Sequence, residues 1–153
     1  MNQTTRFSAV SVNLPDVDQA FPQLFSDLER LQVAVLNNED WPILNEQFTQ
    51  VSLLAIKIFR REEEAMDLCR DRGAVGHKSA HQMFLRNLAG IKMKCEANGP
   101  DVALAQDLRS QVIGWLTDHH RIMNASLGRT VKDLVERSIA HHESTGAIAS
   151  SRG

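Results

Sequence analysis

His77 and His81 stand on a stripe that continues as Phe84, Leu88, Ile91 and Cys95, each step being three or four residues. Residues spaced in this way lie above one another on one face of an α-helix. The stripe is otherwise apolar, so it reads as a buried face, and both imidazoles go inside with it. A buried polar group without a partner costs about 1–3 kcal/mol, so the fold must bring other polar groups to meet these two. Two further helical stripes offer them. Glu62 lies on the run Leu44, Phe48, Val51, Ala55, Ile58, Glu62, Met66 and Cys69; His119 lies on Leu104, Leu108, Val112, Trp115, His119 and Ile122. Glu62, His77, His81 and His119 converging between helices form a donor set for a metal.

The same periodicity runs through nearly the whole chain and predicts an all-α, up-down-up-down four-helix bundle. Residues 1–15, where Phe7 to Val12 alternates briefly before Asn13-Leu14-Pro15, are expected to form an N-terminal arm on the bundle. The bundle itself spans residues 16–127. Its first helix carries Val17, Phe21, Leu24, Leu28, Leu31 and Val35, with Pro22 predicting either a start near Phe21 or a kink. Turns are predicted at Asn37 to Pro42, at Gly73 to Gly76 and at Asn98-Gly99-Pro100-Asp101, where Asp101 is a good N-cap. Gly128 reads as an interruption, followed by a short extra amphipathic helix over 128–142 that bears Val131, Leu134, Val135 and Ile139. From 143 to 153 the composition predicts a disordered tail.

A length of 153 residues suits one domain with a sizeable core. With 42% hydrophobic and 24% charged residues and a net charge of −2, nothing favours nucleic acid or an anionic membrane surface. The longest apolar runs fall well short of the ~20 residues that span a bilayer. No signal-like segment opens the chain, so a cytoplasmic location is expected. Cys69 and Cys95 are isolated, which argues against a dithiol or zinc-ribbon site and for two reduced core residues. Glu63 and Glu64, beside Arg60 and Arg61, read as a solvated face; His120 reads as surface or a group behind the ligands; His141 and His142 read as solvent-exposed.

Three segments carry a more specific pattern: Phe59-x-x-Glu62-Glu63-x-x-Met66, His77-Lys78-x-x-His81-x-x-Phe84-Leu85, and Trp115-Leu116-x-x-His119. In combination and spacing they resemble the hemerythrin family, bacteriohemerythrins included, over about Asp18 to Asn124. That family holds two irons with five histidines and two bridging carboxylates. The resemblance matches Glu62 to the bridging glutamate and His77, His81 and His119 to the three histidines of one iron. The histidines of the other iron fall on Phe21, in Asp18-Gln19-Ala20-Phe21, and on Ile58; the second bridging carboxylate falls on Asn124.

The resemblance therefore implies an incomplete centre: one iron on three histidines and one glutamate, with zinc as the other metal such ligands accept. Phe21, Ile58, Asn124 and Trp115 would line the ligand pocket, Asn124 as a hydrogen-bonding group behind the ligands. The expected role is binding or sensing a small diatomic such as O2 or NO rather than catalysis. Two alternatives stand beside it. One is a metal-free or zinc-stabilised interaction module, with a homodimer or protein partner held through the C-terminal helix. The other is a di-iron oxygen-binding protein with a rearranged site.

Overall fold

In a computed structural model the described residues, 10–150, form a bundle of four helices with no strand among them. Helix α1 is Pro15–Leu36, α2 is Trp41–Cys69 and α3 is Ala74–Asn98. The fourth, α4, is one continuous rod over 102–150. It passes through an α-helical Val102–Asp107, a π-helical Leu108–Gly114, an α-helical Trp115–His119, a second π-helical His120–Asn124 and a final α-helical Ala125–Ser150. Short turns join the elements, so consecutive helices run antiparallel. Helix α1 packs on α2, α2 on α3, and α4 closes the bundle against α1, α2 and α3.

Local chemistry sets the ends. Asp101 caps α4, its carboxylate accepting from Leu104 N at 2.7 Å. Arg70 closes α2 in the left-handed conformation, with φ 50°. Pro22 sits inside α1, which begins at Pro15 rather than near Phe21. The apolar stripes meet in one core from Val12 and Val17 through Phe48, Phe84 and Leu116 to Leu127 and Val131.

Residues 10–14 lie along the bundle. Val12 is fully buried, its N–H donating to Asp18 Oδ1 at 3.0 Å. Asn13 Nδ2 donates to the Gly128 carbonyl at 2.8 Å, and a Cβ on Gly128 would fall 2.0 Å from the Ser11 carbonyl oxygen. Residues 1–9 of the expected arm lie outside the described residues.

Two expectations about the C-terminus are corrected. Gly128 does not interrupt the helix; it is the place where the arm crosses α4 too closely for a side chain, and a helix tolerates one glycine at a cost of ~1 kcal/mol. The segment 128–142 is thus the continuation of α4, not a separate helix. Nor is 143–150 unstructured. The run has no proline, and Thr145 and Ser138 hydroxyls bond back to carbonyls one turn earlier, so the helix carries on to Ser150. Residues 151–153 lie outside the described residues. Positions 132–147 of this extension, His141 and His142 included, are exposed throughout.

Candidate metal centre

Each side chain of the centre reaches it from a buried helix face. Helix α2 presents Ile58, Phe59 and Glu62 along one stripe; α3 presents His77 and His81 one turn apart; α4 presents His119 from the short α-helical stretch between its π segments. Glu62 has no exposed surface, and His77, His81 and His119 are 4%, 1% and 4% exposed. These four residues form a group whose donor atoms all lie within 4.8 Å of one another.

The finer distances discriminate between a hydrogen-bonded cluster and a ligand set. Glu62 Oε2 lies 2.9 Å from His81 Nε2, 3.5 Å from His77 Nε2 and 3.9 Å from His119 Nε2, and the last two nitrogens are 3.1 Å apart. Donors each about 2.1 Å from a common ion stand roughly 3.0–4.2 Å from one another, and these separations fall in or beside that range. Glu62 Oε2 and His81 Nε2 are close enough to bond, yet neither makes an aligned hydrogen bond to any group. They face a shared point rather than each other. That geometry fits a cation accepting all four lone pairs.

Protonation agrees with it. Burial is the largest single influence on Glu62 and works against its charge. The surrounding imidazoles of His119, His77 and His81 outweigh it and hold the carboxyl well below its ordinary value. His119 is held below the ordinary histidine value, first by burial, against the pull of Glu62. An ionised carboxylate beside a neutral imidazole is the state a metal site requires.

A second layer orients these donors. His81 Nδ1 lies 2.9 Å from Glu63 Oε1, so Nδ1–H donates outward and Nε2 keeps its lone pair for the centre. The Phe59 ring stacks on His81 at 4.0 Å and 6°, and Trp115 stacks on His119 at 4.7 Å and 17°. Asn124 Nδ2 donates to Glu62 Oε1 at 2.8 Å. A surface cavity of about 190 Å³, lined by Ala80, Trp115, Asp118, His119, Ile122 and Met123, borders the His119 edge.

Two residues read as peripheral in the sequence belong here. Glu63 is not simply part of a solvated face; only Glu64 behaves so, pairing with Arg61 at 2.8 Å. Glu63 lies one residue off the buried stripe, yet its side chain is long enough to reach His81. His120 is not at the surface. It is 4% exposed, stacks on Phe21 at 4.1 Å and 24°, and places Nδ1 3.2 Å from Asn124 Nδ2. The cause is the π-helical turn His120–Asn124, whose wider winding carries both His120 and Asn124 inward. Phe21 and Ile58 are both buried, at 1% exposure each, and offer no donor.

Over 137 residues, covering 90% of this chain and 87% of the other, the sequence is 23% identical to a bacteriohemerythrin of Stenotrophomonas maltophilia (strain R551-3). No family model and no solved structure matches the chain. The resemblance to hemerythrins thus extends over nearly the whole bundle, and the buried His/Glu group sits where a metal centre of that kind would lie.

Proposed function

We propose that this hemerythrin-like bundle holds a single metal ion, iron, on His77, His81 and His119 Nε2 and Glu62 Oε2, and binds or senses a small ligand such as O2 or NO. One observation carries the reading: all the imidazole donors of the group lie on the Oε2 side of Glu62, within 3.9 Å of that oxygen. Bound iron(II) would supply coordination positions that these four donors do not fill, together with a redox couple.

The protein's own residues then have distinct tasks. Glu62 neutralises part of the cation's charge inside an apolar core. Glu63 fixes the His81 tautomer through Nδ1. Trp115 and Phe59 clamp the planes of His119 and His81. The cavity beside His119 is a route from solvent of a size suited to a small ligand. Binding rather than turnover is the proposed role, since Glu62 is ionised and all four residues are assigned as ligands. No helix of the described residues is long and apolar enough to cross a membrane.

A different role has one observation in its favour. Leu134, Val135 and Ile139 are 39%, 51% and 54% exposed on the α4 extension, a face that suits a protein partner. In that case the centre would be metal-free or a zinc clamp. A di-iron centre has less support, because Phe21 and Ile58 supply no ligand.

Elemental analysis of protein produced with iron and zinc both in supply, followed by absorption spectra under air and under NO, tests these together. One iron per chain with an NO-dependent band is expected. Two irons per chain, stoichiometric zinc indifferent to NO, or no metal at all would each overturn the proposal.

A further inference from the structure

The two carboxylate oxygens of Glu62 keep different company. Oε2 is shared with the imidazoles of His77, His81 and His119. Oε1 accepts from Asn124 Nδ2 at 2.8 Å, and the same amide nitrogen lies 3.2 Å from His120 Nδ1. Glu62 itself fixes which way the amide faces, because the flipped amide would set Oδ1 against a carboxylate oxygen. An NH2 group has two hydrogens and accepts none, so it donates to both Glu62 and His120. His120 consequently carries its own proton on Nε2. Asn124 has no exposed surface, and the His120 ring lies against Phe21. Ile58, one turn before Glu62 on α2, is buried as well.

We propose that Asn124 and His120 confine the centre to one metal. Asn124 keeps the outer oxygen of Glu62 in a hydrogen bond, and His120 fills the adjoining space with an imidazole stacked on Phe21. The inference rests on the one-metal reading above and identifies the residues that enforce it. A carboxylate ties two ions most readily with one oxygen on each, and here the second oxygen takes an N–H instead. The amide is essential to that arrangement. Aspartate at position 124 would oppose two carboxylates, stable only with a proton or a cation between them. Leucine there would leave Oε1 buried without a donor. His120 has its Nδ1 turned to Asn124 and, in this proposal, acts as a positioning residue through that amide.

The test is a Co(II) titration of the metal-free full-length chain, followed by visible absorption and by elemental analysis after dialysis. The unmodified chain is expected to saturate at one equivalent. Asn124→Asp, alone and with His120→Ala, is expected to take up a second, weaker equivalent. Asn124→Leu should keep one equivalent but bind it about 10- to 100-fold more weakly, as loss of an outer partner does, with altered cobalt bands. The inference is overturned if the aspartate variants saturate at one equivalent with the original spectrum. It is equally overturned if Asn124→Leu matches the unmodified chain in affinity and spectrum. If the aspartate variants do not fold by circular dichroism, His120→Ala alone decides. Weakened binding and shifted cobalt bands support the inference, and no change in either overturns it. Two equivalents in the unmodified chain, or none, would instead defeat the one-metal reading itself.

Discussion

On one side of Glu62 stand three imidazoles, each with its Nε2 within 3.9 Å of the same oxygen; on the other stand an amide, an imidazole turned to that amide, and a phenyl ring. Both sides are equally buried, the first drawn from α3 and α4 and the second from α1 and α4. Burial therefore does not distinguish a ligand pocket from a filled core. What distinguishes them is where the hydrogens and lone pairs go. On the histidine side, His77 Nε2 and His119 Nε2 share one contact at 3.1 Å, and Glu62 Oε2 and His81 Nε2 are left without an aligned bond. On the amide side, one NH2 supplies both acceptors it meets. The first arrangement suits a cation, whereas in the second the outer oxygen of Glu62 already has its hydrogen bond.

The contrast breaks most readily on the histidine side. His119→Ala removes a donor and leaves a hole beside Trp115. It should abolish retention of metal through gel filtration, a larger loss than the roughly 10- to 100-fold typical of outer partners. Metal content equal to that of the unmodified chain would remove His119 from the ligand set. Acid acts on the same side. His119 is held below its usual value of 6.5 by burial, so below that pH the folded state binds fewer protons than the unfolded chain, and stability falls as pH falls. Glu62 is held below 4.5, so the stability it contributes is present above that value and is lost as pH drops further. Both effects have one sign, and the melting temperature of the metal-free protein should decline from about pH 7 to about pH 4. Glu62→Gln should flatten the lower part of that decline; an identical curve would show that Glu62 is not ionised in the folded state.

Sequence alone was sufficient for the histidine side and insufficient for the amide side, for a reason of helical period. Helices α2 and α3 wind regularly, so steps of three and four place Glu62, His77 and His81 on their stripes correctly. Helix α4 does not. Five residues along an ideal α-helix rotate about 140° away from the start, which would have turned Asn124 off the His119 face. The π-helical turn over His120–Asn124 restores it, and it turns His120 inward as well. No residue in His120-Arg121-Ile122-Met123-Asn124 announces that winding; only the family resemblance pointed to position 124. Glu63 escaped for a different reason. It flanks the stripe, and nothing in a one-dimensional pattern says that its carboxylate reaches His81. Gly128 reads as a break in the sequence because its close neighbour, the Ser11 backbone, is more than a hundred residues away along the chain.

Smaller effects sharpen the comparison from its edges. Glu63→Gln keeps a hydrogen-bond acceptor for His81 Nδ1 but removes the charge that makes Nε2 a stronger donor. Metal affinity should fall about tenfold, toward the lower end for outer partners, as read by competition with a chelator. No change would mean that the Glu63 contact merely packs.

Phe21→Leu should separate the two sides altogether. The substitution trims a buried ring that packs on His120 and Phe25. Loss of ring contact should cost about 1–2 kcal/mol in chemical denaturation of the metal-free protein, less than a truncation to alanine because much of the volume is kept. Metal affinity and the number of ions bound should stay as they are, because His120 and Asn124 still hold Glu62 Oε1. A second ion entering this variant would show that the ring, and not the amide, closes the far side of Glu62. A loss of affinity with no second ion would show that Phe21 steadies the histidine side through His120, and the two halves of the centre would then have to be treated as one.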